Sequence, residues 1–125
     1  MGPKAAAVEV HDFDVNDIGV KWVVTDCYGL LLEASGEAAH MFNLSVAGLR
    51  GRQLLVFFDG ERERWRQALR AAAAGMTVDR EGAVRPRDKR PVFIRAEITR
   101  TRDWQHEEIL LWTFTEPESC EAAAS

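Results

Sequence analysis

The chain has 125 residues, room for one domain of ordinary size and enough to bury a core of its own. Hydrophobic residues make up 46% and charged residues 29%, an ordinary globular balance, and no apolar run approaches the ~20 residues of a spanning helix. A formal net charge of −4 argues against a dedicated phosphate-backbone binder, so neither direct nucleic-acid binding nor a membrane span is expected.

The first residues, Met1-Gly2-Pro3-Lys4, precede only Ala5-Ala6-Ala7-Val8 before charge returns at Glu9, too short a run for the apolar core of an export signal. Cys27 and Cys120 are too few for a disulfide framework and lack Cys-x-x-Cys spacing. Reduced thiols in a cytoplasmic protein are the expectation.

Residues 1–17 space Val8, Val10, Phe13 and Val15 among acids, and their periodicity fits a strand, a short helix or an extended arm. Residues 20–25 are β-branched and aromatic and end at Asp26-Cys27-Tyr28-Gly29, a turn signal; residues 30–34 then complete a hairpin. Ser35 is placed to cap a short helix through Phe42, with Glu37 at the positive end of its dipole. Residues 43–51 carry two glycines and read as a turn-rich connection, followed by a short apolar stretch over 52–58.

Asp59 is placed to cap the clearest helix, which Gly75 stops and along which Trp65, Ala68, Leu69 and Ala72 form one apolar stripe. Three strands are expected after it: residues 76–80 turning at Glu81-Gly82, then 91–102, then 107–115 after a turn at Asp103. Pro117 ends the pattern, and residues 118–125 read as a tail. Hairpins flanking a helical block predict an α+β domain, an antiparallel sheet with helices on one face.

Four stretches in this order resemble the first half of a PAS domain. They are Val23-Val24-Thr25-Asp26-x-x-Gly29, Leu30-Leu31-Leu32-x-Ala34-Ser35, Ala38-Ala39 with Phe42, and Leu49-x-Gly51-Arg52. The helix with Trp65 is similar to the long PAS helix. Phe114-Thr115-Glu116 resembles the closing Asp-Ile-Thr-Glu pattern, with Thr113 in place of the aspartate. Each motif is degenerate; their order and spacing over residues 18–117 carry the resemblance. It implies a five-stranded antiparallel sheet cradling helices, a pocket between them, and a sensory or dimerisation role coupled to an effector.

The resemblance also directs where chemistry is sought. In the flavin-photochemical LOV subfamily an Asn-Cys pair follows the Gly-Arg; here Gln53-Leu54 follows, so Leu54 holds the place of the reactive thiol, and the final-strand glutamine falls at Leu111. Haem-binding relatives take a histidine from the long helix, whereas His11, His40 and His106 lie elsewhere and share no metal-ligand spacing. Neither haem nor LOV-type flavin is therefore expected, and the cofactor, if any, is unassigned. Gly-rich nucleotide loops are missing from the sequence.

By analogy with PAS domains, Val23, Thr25, Ile94, Ala96, Ile98, Ile109, Leu111 and Thr113 should line the pocket from the sheet, with Leu54, Phe57, Trp65 and Leu69 closing it. Such a lining suits a small apolar or planar ligand, unless Trp65 and Phe57 fill the space themselves. Strand alternation puts Trp22, Val24, Phe93, Leu110, Trp112 and Phe114 on the opposite face. Left bare, that face would expose apolar area on the order of several hundred Å². The arm through Val8, Val10 and Phe13, a second subunit, or both should cover it, and a homodimer is expected. Arg62, Arg66 and Arg70 stack like charges on one ridge of the long helix, either a solvated face or a docking ridge for an acidic partner.

The resulting expectation is a PAS-like sensory module without catalysis, excised from a larger sensor kinase or transcription regulator and signalling to an effector domain or partner protein. Two alternatives stand beside it. One is a ligand-free interaction module. The other is a small open-cone enzyme similar to the ketosteroid-isomerase-like group, for which Asp26 and Asp103 are the only acids to consider, both better read as turn residues.

Overall fold

The computed structural model describes residues 20–103 and 105–115. Strand β1 (Lys21–Thr25) and strand β2 (Leu31–Ala34) form the expected hairpin. Asp26 closes its turn, because its Oδ1 accepts from the Tyr28 and Leu30 amides at 2.8 and 2.9 Å. Helix α1 (Gly36–Phe42) starts where Ser35 Oγ accepts from the Ala38 amide at 3.1 Å. Helix α2 (Val46–Leu49) is a single turn capped by Ser45, and the apolar stretch after Gln53 is a 3₁₀ turn (Leu54–Phe57).

Helix α3 (Arg62–Ala73) buries Trp65, Ala68, Leu69 and Ala72 as the periodicity requires. Its start differs from expectation. Asp59 is engaged elsewhere: its amide donates to Ala83 O at 2.9 Å and its carboxylate faces Arg85, so Glu61 occupies the cap position without a side-chain hydrogen bond. Gly75, at φ 105°, ends the helix, with the Met76 amide donating back to Ala71 O.

Strand β3 (Val78–Val84) runs straight through Glu81-Gly82, where the sequence suggested a turn. Glycine there serves close approach to Trp65 instead of a reversal, and the chain turns over residues 85–91. Strands β4 (Val92–Arg102) and β5 (Glu108–Thr115) complete an antiparallel sheet in the order β2-β1-β5-β4-β3. The helical block packs on one face, and the main core lies between the two layers.

The sheet corrects the orientation of β5. Trp112 pairs with Val23 on one side and Ile98 on the other, and Phe114 pairs with Ala96. Directly paired residues share a face, so Leu110, Trp112 and Phe114 turn toward the helices and are buried in the main core. Ile109, Leu111 and Thr113 face the opposite way, the reverse of both assignments made from the sequence. Val8, Val10 and Phe13 lie outside the described residues.

Candidate functional site

Nine of the twelve residues assigned to the pocket do meet between sheet and helices: Val23, Thr25, Ile94, Ala96 and Ile98 from the strands, Leu54, Phe57, Trp65 and Leu69 from the helical block. They meet as packed core. The Trp65 indole stacks on Phe58 with centroids 4.1 Å apart and lies 6.3 Å from Trp112, while Phe42 packs on Phe57 at 4.8 Å. Phe42 and Phe58, absent from the expected lining, thus complete an aromatic plug with the inward-turned Trp112. The polar member is also used: Thr25 Oγ1 accepts from Trp112 Nε1 at 3.0 Å and donates to Asp26 O at 2.8 Å.

The outer sheet face is two-part. Val24 and Ile109 are buried there with Trp22 and Leu111 against them, whereas Phe93, paired with Ala83 near the start of β4, stands apart and 49% exposed. Beside them Asp79, Arg95, Glu97, Thr113 and Thr115 line a shallow polar depression of about 180 Å³. The Arg95 guanidinium, hydrogen-bonded to Asp79 with Nε to Oδ1 at 2.8 Å, holds the Asp79 carboxyl below its ordinary value. The apolar patch is smaller than expected, because Leu110, Trp112 and Phe114 belong to the core. The Trp22 indole N–H is buried without an acceptor among the described residues.

A groove of about 530 Å³ opens where the β1–β2 turn, the 3₁₀ turn and α3 meet. Tyr28, Val56 and Leu69 line it together with Arg62, Arg66 and Arg70. Of the residues assigned to the interior pocket, Leu69 alone reaches this groove. Gln53 braces it, donating from Nε2 to Tyr28 O at 3.0 Å and accepting from the Leu55 amide at 3.3 Å. The charge repeat in the sequence marked the arginine wall; the apolar wall was not legible, because it is assembled from two distant turns.

Neither a family model nor a curated protein sequence matches the chain. Solved structures do. The PAS domain of an HTR-like protein from Haloarcula marismortui superposes with a TM-score of 0.71 at 14% identity, covering 89% of this chain and 97% of that one. A domain of a sensory box sensor histidine kinase/response regulator from Geobacter sulfurreducens gives 0.70 at 12% identity, over 88% and 94%. A structure titled for a flavin analogue in a Light-Oxygen-Voltage domain gives 0.72 at 14% identity, over 94% and 90%. The fold is that of a PAS domain.

Within this PAS-like fold Leu54, matched from the sequence to the LOV thiol, is buried in the core. Leu111, matched from the sequence to the LOV glutamine, faces the outer side; its neighbours Leu110 and Trp112 are the ones turned inward. Asp26 and Asp103 both act as turn acceptors, Asp103 Oδ1 taking the Gln105 and Glu107 amides at 2.8 and 2.9 Å. Among the described residues no three His, Cys, Asp or Glu side chains are grouped to hold a metal ion, and no helix is long and apolar enough to cross a membrane.

Proposed function

We propose that this PAS domain is a non-catalytic signalling module that works by protein–protein contact, as a cytoplasmic homodimer coupled to an effector domain or partner signalling protein. One observation carries the reading: the space in which a ligand would sit is filled by the Trp65–Phe58 stack and Trp112. The dimer contact is assigned to the half-buried members of the outer patch, Trp22 and Leu111, which pack over Val24 and Ile109. The Trp22 indole N–H, without an acceptor among the described residues, favours a further surface meeting that patch. The similarity to a domain of a sensor histidine kinase/response regulator supports the signalling context. The alternative acids for an enzyme are already spent as turn acceptors.

Native mass spectrometry of freshly purified protein tests this. The expected species is a dimer at twice the chain mass, which Leu111→Glu converts to monomer. A small molecule retained under native conditions and lost on denaturation would overturn the filled-core reading. A dimer indifferent to both Leu111→Glu and Trp22→Glu would overturn the interface.

A further inference from the structure

We infer that the groove beside α3 docks an acidic, amphipathic segment of a partner protein; the inference deepens the signalling reading and rests on it. Arg62, Arg66 and Arg70 repeat every four residues, so the cations form a row about 12 Å long. All three are exposed. Arg66 has a carboxylate partner, Glu63 at 3.2 Å, in a pair more than half exposed, whereas Arg62 and Arg70 have none within ion-pair distance among the described residues. Like charges at i, i+4 weaken a helix, and the chain as a whole is acidic, so folding gives no reason for the row.

The opposite wall is apolar and open to water: Val56 is 54% and Tyr28 80% exposed. Cations along one wall and apolar side chains along the other match a helix carrying carboxylates on one edge and leucine-like residues on the next. The observations favour protein over nucleic acid. Duplex DNA presents about one charge per 1.7 Å and requires a broad basic surface. Here the row is a single stripe bordered by Glu61 and Glu63. A small anion fits less well, since a ligand site normally encloses most of its ligand, whereas Tyr28 and Val56 on this groove's wall are largely exposed to water.

The test uses the full chain and a labelled helical peptide with Glu at i, i+4 and i+8 and Leu on the adjoining edge, followed by fluorescence anisotropy. A scrambled peptide and a single-stranded oligoribonucleotide serve as comparisons. The expected result is saturable binding to the designed peptide that falls at least about tenfold on R62E/R66E/R70E and several-fold on Val56→Ser, and that weakens with salt. The substituted residues are exposed, and circular dichroism confirms that each variant is folded. Equal binding of the scrambled peptide, tighter binding of the oligoribonucleotide, or indifference to the triple reversal would overturn the inference. Native mass spectra of the same samples separate the two readings: a ligand-free dimer that ignores the peptide overturns docking alone, whereas a retained small molecule overturns the filled-core, contact-only reading beneath it.

Discussion

Gly82 lies so close under the Trp65 indole that a Cβ built on it would stand 2.7 Å from Cζ2. Trp65 is fully buried and stacked on Phe58, so it has nowhere to move. Gly82→Ala should therefore cost about 1–3 kcal/mol by overpacking, despite adding one methyl group in a strand where alanine is otherwise the better residue. Urea denaturation measures it. Pairing the substitution with Trp65→Phe should recover part of the loss, because the smaller ring vacates the contact. A Gly82→Ala variant as stable as the parent would mean the indole does not lie on β3.

The buried hydrogen bond from Trp112 to Thr25 links β5 to β1 through side chains that are both fully buried. Thr25→Val keeps the shape and leaves the indole N–H without an acceptor, at a cost of about 1–3 kcal/mol. Thr25→Ser keeps the hydroxyl and should cost less. A double-mutant cycle with Trp112→Phe, read by thermal and chemical unfolding, checks this: once both polar partners are gone, the two losses should not add.

That bond also marks where the sequence stopped being informative. β4 alternates cleanly from Ile94 to Ile98, so Ile94, Ala96 and Ile98 point inward as read, and Val23 and Thr25 in β1 do so too. In β5 the run Ile109-Leu110-Leu111-Trp112 is apolar on both faces, and period-two alternation cannot choose between two apolar sets. The choice comes from pairing with Val23 and Ile98, contacts more than a dozen residues distant in the chain. Gly82 was misread for a related reason: a glycine that admits an indole and a glycine that permits a turn are the same letter. The caps and turns at Ser35, Asp26 and Asp103 were legible because their chemistry is local.

Ser35 does more than cap α1. Its Oγ accepts from the amides of Ala38 and of Trp22, each at 3.1 Å, and donates to Val20 O at 3.2 Å, fastening the helix start to β1. Capping alone predicts that Ser35→Ala costs about 1 kcal/mol and Ser35→Gly only a few tenths. With the β1 bonds included, both variants should lose about 1–2 kcal/mol, measured as a shift in the urea midpoint. A Gly variant close to the parent would reduce Ser35 to a helix cap.

Asp79 sets an acid-side dependence. Its hydrogen bond to Arg95 holds the carboxyl below its ordinary 3.8, and the Arg95 charge adds to this, against a smaller upward push from burial. The unfolded chain, lacking the partner, takes up the proton first as pH falls. The contribution is therefore fully present well above 3.8 and is lost as pH falls through the lowered folded value. Both side chains are 45% exposed, so solvent screening keeps the effect near 0.5 kcal/mol or below. Asp79→Asn should be slightly less stable than the parent near neutral pH, with the gap closing at strongly acid pH and narrowing in high salt. Urea titrations of the two proteins across that range check it, and a gap that persists at the acid end would assign the loss to packing or to the amide instead of to the carboxylate's charge.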